Sequence, residues 1–189
     1  MTFLRDFQLI GQDLYASGLN NSHSGNMSVR NNQMMAITCS GSMLHRLEFP
    51  DIVETLIDGE DAQSALASRE RPVHRAIYQQ TNAVAIVHAH PPHLIALSLH
   101  TRNFMPIDAE GRYFFERGIP VVEVANAIAS EEVAVKVAPI LRETPIVIVR
   151  GHGTFAVGAS LIECFHFTSS LEHSARIVLI NNQLSKTLT

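Results

Sequence analysis

Two short runs of almost wholly apolar residues constrain the fold of this chain more than any other feature. They are residues 83–87 (AVAIV) and 145–149 (PIVIV), and both are rich in β-branched side chains. A run of this length fits one buried β-strand but is far too short to cross a membrane. We therefore predict buried strands at 83–88 and 145–149. Because helical patterns interleave with the strands, the chain is predicted to be an α/β domain whose sheet is covered by helices.

Weaker patterns complete the α/β prediction. Residues 26–30 and 34–38 flank an Asn-Asn pair and predict a β-hairpin. Ser160 and Glu163 have capping-box spacing and predict the start of a last helix over 160–184. The remaining predicted helices cover 3–17, 69–80, 92–100 and 130–142, and the remaining predicted strands cover 52–57 and 119–124. No repeat or linker interrupts the chain, which predicts a single domain over residues 1–189.

Composition and charge exclude several classes of protein. Of 189 residues, 46% are hydrophobic and 17% are charged, so the chain can bury a core and wholesale disorder is excluded. The formal net charge of -4 provides no basic field for binding nucleic acid. Two cysteines, Cys39 and Cys164, cannot form a disulfide framework, and a cytoplasmic protein without membrane attachment is predicted. The low charge predicts that apolar surface meets a partner subunit.

Three histidines follow the two buried strands. His88 and His90 are two residues apart, so in extended chain both side chains point to one face and can reach one ion. His152 lies between two glycines just after the second strand. Three neutral imidazoles with an open position are typical of a catalytic zinc site. His88 and His90 also fit a chance pair beside a polar loop, and a ligand set that includes His93 stays open.

Glu70 lies near the predicted start of a helix, where two interpretations apply. A first-turn acid is favoured by the helix dipole, and the residues alone favour this structural role. A general acid/base tuned by burial and a nearby metal is the functional alternative. His74, one turn further on, fits a ligand, an orienting partner or a core histidine. We favour the core histidine.

Two loops of small residues flank the predicted hairpin at the same end. They are residues 24–26 (SGN) and 40–42 (SGS). Exposed backbone N–H groups together with hydroxyl and amide donors can form an anion-binding nest, although ordinary turn chemistry explains each loop equally well. Ser68 and Arg69 can complete such a site, because a guanidinium binds phosphate through two N–H groups. Solvated residues at a helix start are the alternative for this pair.

The same residues carry a resemblance to a known family. The chain resembles the class II aldolase/adducin family, in particular its L-fuculose-phosphate aldolase branch, along nearly its whole length. No matching block is unique alone, but their order and spacing are highly specific. The blocks are GNMSVR at 25–30, ITCSG at 37–41, Glu70 with His74, AIVHAHPPH at 85–93 and RGHGTFAVG at 150–158.

The resemblance implies a fold, an assembly and a set of site residues. The implied fold is a three-layer α/β/α domain around a largely antiparallel sheet, and the implied assembly is a homotetramer with sites at subunit interfaces. Zinc or another divalent ion is implied on the three histidines, and Glu70 is the implied catalytic carboxylate. The implied contacts to a substrate phosphate are Asn26, Ser40, Gly41 and Ser68.

The implied activity is zinc-dependent cleavage of a small ketose phosphate, such as L-fuculose 1-phosphate. The implied products are a compound of the dihydroxyacetone-phosphate type and an aldehyde. Sugar-phosphate 4-epimerases, dehydratases and a non-catalytic adducin-like module are the alternatives. Arg69 stands where the family often has a second serine. The family's tyrosine acid has no clear counterpart after Pro106, which leaves Glu110 and Tyr113 as the candidates.

Overall fold

The computed structural model describes residues 3–187, which form one eight-stranded sheet with six α-helices around it. The helices are α1 Leu4–Ala16, α2 Arg71–Gln80, α3 Pro92–Ser98, α4 Ala109–Phe114, α5 Glu131–Ile140 and α6 Leu161–Thr187. The strands are β1 Asn26–Asn31, β2 Met34–Thr38, β3 Ile52–Leu56, β4 Ala85–Ala89, β5 Asn103–Phe104, β6 Ile119–Val122, β7 Ile146–Val149 and β8 Gly153–Gly158. No helix within residues 3–187 is long and apolar enough to cross a membrane.

The sheet is largely antiparallel. Its strand order is β3-β2-β1-β4-β8-β7-β6-β5, and β6 with β7 is the one parallel pair across residues 3–187. The two buried strands predicted from their apolar runs, β4 and β7, are both in the interior of the sheet, and β8 lies between them. The loop from β7 to β8 therefore ends beside the end of β4.

Helices cover both faces of the sheet. On one face, α1, α3 and α6 pack on the sheet through side chains such as Leu14, Leu94 and Leu171. On the other face, α2 and α5 pack through side chains such as Ile77 and Val137. The predicted three-layer α/β/α architecture with a largely antiparallel sheet is confirmed.

Local sequence signals account for most of the element boundaries. The hairpin turns at Asn32, whose φ of 55° lies in the left-handed region that asparagine tolerates. Ser160 Oγ accepts a hydrogen bond from the Glu163 N–H at 3.2 Å, as the capping box predicts. The Glu163 carboxylate instead accepts from the N–H of Ala159 at 2.6 Å, one residue earlier than a full capping box requires.

Among the α-helices and strands of residues 3–187, three were not predicted from the sequence. Strand β8 reads as Gly-Thr-Phe-Ala-Val-Gly and lacks the continuous β-branched run that marks β7. Strand β5 is two residues long, and α4 is only six residues long. Elements this short carry too few residues for a periodic pattern to emerge.

Candidate active site and metal centre

A polar cavity of about 460 Å³ lies where the end of β4, the β7–β8 loop and the start of α2 meet. All eight residues predicted for metal, catalysis or phosphate binding line it. They are Asn26, Ser40, Gly41, Ser68, Glu70, His88, His90 and His152. A larger surface depression of about 750 Å³ lies near the end of α2 and the start of β7, and it has no histidine in its lining. The candidate site is therefore the smaller cavity.

The backbone of the sheet fixes the orientation of His88. This residue lies in β4, paired with Asn26 of β1 on one side and with Phe155 of β8 on the other. Its ring stacks on the Phe155 ring, with centroids 4.2 Å apart. Nδ1 lies 2.9 Å from the carbonyl oxygen of Thr154, and a carbonyl can only accept a hydrogen bond. The proton is therefore on Nδ1, and the Nε2 lone pair is left for a ligand.

His90 and His152 converge on His88 from neighbouring backbone segments. Nε2 of His90 lies 2.9 Å from Nε2 of His88, and one ligand atom from each of the three residues lies within 4.8 Å of the others. The His90 N–H donates to the carbonyl of Leu19 at 2.9 Å and to Oδ1 of Asn20 at 3.0 Å, which holds the chain just after β4. The predicted convergence of the three imidazoles on one point is therefore found in the structure.

The electrostatics of the three imidazoles fit a divalent metal ion. Burial lowers the pKa of His88, and the neighbouring histidines lower it further. Burial also lowers the pKa of His152, and it lowers the pKa of His90 to about 4. All three rings are therefore neutral near pH 7, which is the form that binds metal. Nδ1 of His152 is buried and has no hydrogen-bond partner among residues 3–187, so one polar atom of this ring is left unsatisfied.

Glu70 lies at the N-cap of α2, and its carboxylate binds a residue outside this helix. It makes no side-chain capping bond, and Oε1 instead accepts a hydrogen bond from the N–H of Ala129 at 2.9 Å. Oε2 is buried and has no partner among residues 3–187. Burial raises the pKa of the carboxyl, while the Ala129 N–H and the Arg69 guanidinium act in the opposite direction. This environment suits a proton-transfer group better than a helix-start charge.

The contact with Ala129 was not predicted from the sequence. Ala129 lies 59 residues from Glu70 along the chain, in the loop that precedes α5. Its φ of 50° is uncommon for a residue with a Cβ atom and costs about 1 kcal/mol or more. Such a conformation persists only where the surroundings require it. The loop therefore presents a backbone N–H to the buried carboxyl at the expense of local strain.

The candidate phosphate-binding residues differ in their exposure and in the hydrogen-bond donors that they can offer. Asn26 and Ser68 are buried, whereas Ser40 and Gly41 are exposed at the rim of the cavity. The Ser40 N–H donates to the Leu66 carbonyl at 3.0 Å, and the Ser68 N–H donates to the Thr38 carbonyl at 2.9 Å. Both of these backbone donors are thus already used, so Ser40 and Ser68 can offer an anion only their hydroxyl groups.

Other predicted candidates lie elsewhere. Nδ1 of His93 is 2.6 Å from Oε1 of Glu172 on α6, and His93 is absent from the cavity lining, so the alternative ligand set with His93 is wrong. Tyr113 is 83% exposed on α4, and Glu110 lines a different cavity beside α6. Neither of these two residues lies in the cavity of its own chain.

His74 is a buried core histidine, as favoured from the sequence. Its two ring nitrogens contact Asn26 and Ser28, and it is fully buried. His23 lies exposed in a loop at the rim of the cavity. No spacing signal in the sequence distinguishes it from an ordinary loop histidine.

The fold and the three-histidine cavity place this chain in a class of enzymes. The chain belongs to the class II aldolase and adducin family: residues 5–179 match the family described as Class II Aldolase and Adducin N-terminal domain. The predicted family membership is thereby confirmed. The solved L-fuculose-1-phosphate aldolase from Thermus thermophilus is 37% identical with a TM-score of 0.92, and the match covers 97% of this chain and 96% of that chain.

Relatives with other names are also similar to this chain. A methylthioribulose-1-phosphate dehydratase from Acidiphilium cryptum (strain JF-5) is 31% identical over 181 residues, which is 89% of this chain and 85% of that protein. A 3,4-dihydroxyphthalate decarboxylase from Rhodococcus jostii (strain RHA1) is 31% identical over 116 residues, 59% of this chain and 48% of that protein. Aldol cleavage and dehydration are both anticipated from the sequence, whereas decarboxylation is not.

Proposed function

We propose that this chain is a zinc-dependent class II aldolase. Its substrate would be a small ketose phosphate such as L-fuculose 1-phosphate, cleaved to a dihydroxyacetone-phosphate-type product and an aldehyde. One observation carries the proposal: a single cavity combines three neutral imidazoles, a buried carboxyl and a group of hydroxyl and amide donors. Similarity to the Thermus thermophilus aldolase over nearly the whole chain supports the same reaction.

His88, His90 and His152 would hold the ion. Three imidazoles with an open position favour zinc over magnesium or calcium, which prefer oxygen ligands. When bound, a divalent ion supplies Lewis-acid stabilisation of the negative charge that develops on the substrate's oxygens. The Thr154 carbonyl would fix the tautomer of His88, as a hydrogen-bonded partner commonly does for a metal-ligating histidine.

Glu70 would transfer the proton at carbon. In cleavage the C4 hydroxyl loses its proton as the aldehyde forms, and the electrons of the C3–C4 bond stay on C3. In this direction Glu70 would begin as the carboxylic acid and donate its proton to C3. In the synthetic direction the Glu70 carboxylate would remove that proton. The raised pKa of Glu70 favours the protonated form. The Ala129 N–H holds Oε1 and leaves Oε2 free to exchange the proton.

Four residues would bind the phosphate: Asn26, Ser40, Gly41 and Ser68. Arg69 is exposed at the same cavity and would add the only cationic side chain to its lining within residues 3–187. A guanidinium in place of a second serine would strengthen the attraction to a doubly charged phosphate. We expect Arg69→Ala to raise the Michaelis constant for a phosphorylated substrate.

A partner subunit would complete the site. The proton of the C4 hydroxyl needs an acceptor, and neither Glu110 nor Tyr113 reaches the cavity of its own chain. Tyr113 is 83% exposed, which suits a side chain that inserts into a neighbour. We propose a homotetramer of this single domain, located in the cytoplasm, with Tyr113 or Glu110 of one subunit facing the cavity of the next.

Dehydration of a sugar phosphate is the second candidate. The observation that favours it is the 31% identity, over 89% of this chain, with the methylthioribulose-1-phosphate dehydratase. Both reactions begin from a ketose phosphate and need charge stabilisation beside a carbonyl group, so the same metal and anion sites would serve either. Aldol cleavage and dehydration would differ in where the proton donor lies relative to the leaving group.

A product assay on the zinc-loaded protein separates these functions. The panel contains L-fuculose 1-phosphate, methylthioribulose 1-phosphate and 3,4-dihydroxyphthalate, with the Glu70→Gln variant as the control. We expect dihydroxyacetone phosphate and an aldehyde from the first compound, and little turnover of the other two. Loss of water from methylthioribulose 1-phosphate, or release of carbon dioxide from the phthalate, without cleavage of the first compound would reject the aldolase proposal.

A further inference from the structure

Four polar side chains form a chain of hydrogen bonds that ends at the cavity. The Tyr78 hydroxyl lies 2.8 Å from Ser28 Oγ, and Ser28 Oγ lies 2.6 Å from Nδ1 of His74. Nε2 of His74 lies 2.7 Å from Oδ1 of Asn26. All four residues are buried, and Asn26 alone lines the cavity. These hydrogen bonds therefore connect Asn26, a candidate phosphate-binding residue, to three buried side chains that do not line the cavity.

The direction of these hydrogen bonds follows from the donors available. Within residues 3–187 the Tyr78 hydroxyl has Ser28 Oγ as its only hydrogen-bond partner. If Tyr78 donates to Ser28, then Ser28 donates to Nδ1 of His74, and Nε2–H donates to Asn26. In the reverse direction the buried Tyr78 proton would have no acceptor, which is costly. In the first direction both hydroxyl groups and the His74 N–H each have an acceptor.

The environment of His74 agrees with this direction. In this direction Nδ1 of His74 accepts a hydrogen bond and Nε2–H donates one, as a neutral imidazole requires. Burial beside the Phe155 ring lowers the pKa of His74 to about 3, so the ring carries a single proton. Its ring is packed edge-on to Phe155, with centroids 6.2 Å apart. The histidine is thus held in one orientation and one tautomer.

We propose that His74 is a positioning residue whose Nε2–H binds Oδ1 of Asn26 and so turns the Asn26 amide N–H groups into the cavity, towards the substrate phosphate. Ser28 and Tyr78 maintain the proton on Nε2. The orientation matters because an amide N–H attracts an anion and an amide oxygen repels it. This inference rests on the phosphate site of the proposed function.

Ser28→Ala tests the inference with a small change in a buried strand. Without the Ser28 hydroxyl, Nδ1 of His74 loses its donor, so His74 can take the other tautomer and the Asn26 amide can turn its oxygen into the cavity. The probe is inorganic phosphate, titrated calorimetrically into the zinc-loaded full-length protein. We expect its dissociation constant to rise about fivefold to tenfold, with zinc content unchanged. Ser174→Ala, at a buried serine on α6 outside the cavity, is the matched control and should bind phosphate as the wild type does.

A double-mutant cycle distinguishes positioning from a general structural effect. Asn26→Ala should weaken phosphate binding, and adding Ser28→Ala to it should have no further effect, because the amide that Ser28 positions is gone. His74→Phe, which keeps an aromatic ring and removes the donor, should behave like Ser28→Ala. Additive losses in the double variant would show that Ser28 acts on the fold in general, and would overturn the inference.

Two further outcomes separate this inference from the proposed function. If Asn26→Ala weakens phosphate binding but Ser28→Ala and His74→Phe bind it like the wild type, the positioning role is rejected and the phosphate site stands. If Asn26→Ala itself binds phosphate like the wild type, the phosphate contact of the proposed function is rejected, and the positioning role is rejected with it.

Discussion

Glu70 has one carboxylate oxygen bound to a backbone N–H and the other buried without a partner in residues 3–187. If it transfers the proton at carbon, Glu70→Gln should keep the fold and the metal and lower kcat by about a hundredfold or more. Steady-state kinetics with zinc content measured on the same preparation checks this. The amide can still accept from Ala129, so an unfolded variant is not expected. Near-normal turnover would leave Glu70 as a helix-start charge only.

Asp61 provides a test of electrostatics away from the site. Its carboxylate accepts from the Leu56 N–H at 2.7 Å and from the Gln63 N–H at 2.8 Å, and these bonds lower its pKa from 3.8 to about 2. A depressed pKa in the folded state means that the ionised group stabilises the fold above about pH 4. That stabilisation is lost as the pH falls towards 2.

Asp61→Asn should therefore lower Tm most at neutral pH. The difference in Tm between wild type and variant is expected to shrink between pH 4 and pH 2, where the wild-type carboxylate becomes protonated. Thermal unfolding of both proteins across this range, with zinc removed from both, provides the measurement. A difference that stays constant down to pH 2 would show that Asp61 contributes nothing through its charge.

At the scale of elements, the contact between β4 and β8 sets the geometry of the metal centre. Gly153 begins β8, and a Cβ atom there would lie 2.3 Å from the Ala89 carbonyl oxygen and 2.8 Å from Cδ2 of His90. Neither neighbour can yield without moving the end of β4. Gly153→Ala should therefore displace His90 and weaken zinc binding by about tenfold or more, as expected when the support of a metal ligand is disturbed.

Gly158→Ala is the control at the other end of β8. The three atoms nearest to a Cβ atom there all belong to the side chain of Glu163, with Oε2 at 2.7 Å. This variant should retain zinc, which a competition titration with a chromogenic chelator measures. Equal zinc affinity in Gly153→Ala and the wild type would contradict the claim that this close approach supports the centre.

The sequence predicts β4 and β7, the strands at whose ends the histidines lie, more reliably than it predicts their surroundings. His88 and His152 are recognisable because each follows an unbroken apolar run, and a run of that kind is a local signal. Strand β8 has no such run, so its position between β4 and β7 is known only from the structure. The Ala129 contact to Glu70 joins residues 59 apart through an irregular loop, and no periodicity marks it.

At the scale of the whole molecule, the surface carries large apolar side chains on several elements. Ile162 is 67% exposed, Val135 is 64% exposed and Tyr113 is 83% exposed. Self-association in a closed ring would cover such side chains without leaving an unpaired face. The family resemblance supplies the number four, because composition and exposure do not fix the number of subunits.

We expect light scattering at micromolar concentration to give about four times the mass of one chain. Tyr113→Phe should preserve this mass, because the apolar ring is kept. If the partner's hydroxyl takes part in the reaction, the variant should lose turnover. A mass near that of a single chain, measured on protein with full activity, would reject both the assembly and the shared site.

The most direct test of the central claim, that three histidines hold the ion on which cleavage depends, is turnover as a function of zinc occupancy. Protein stripped by a chelator is titrated with zinc, and the release of dihydroxyacetone phosphate from L-fuculose 1-phosphate is followed at each step. The account predicts no release from the stripped protein, a linear rise with added zinc and a plateau at about one ion per chain. Cleavage at the full rate by metal-free protein would contradict it.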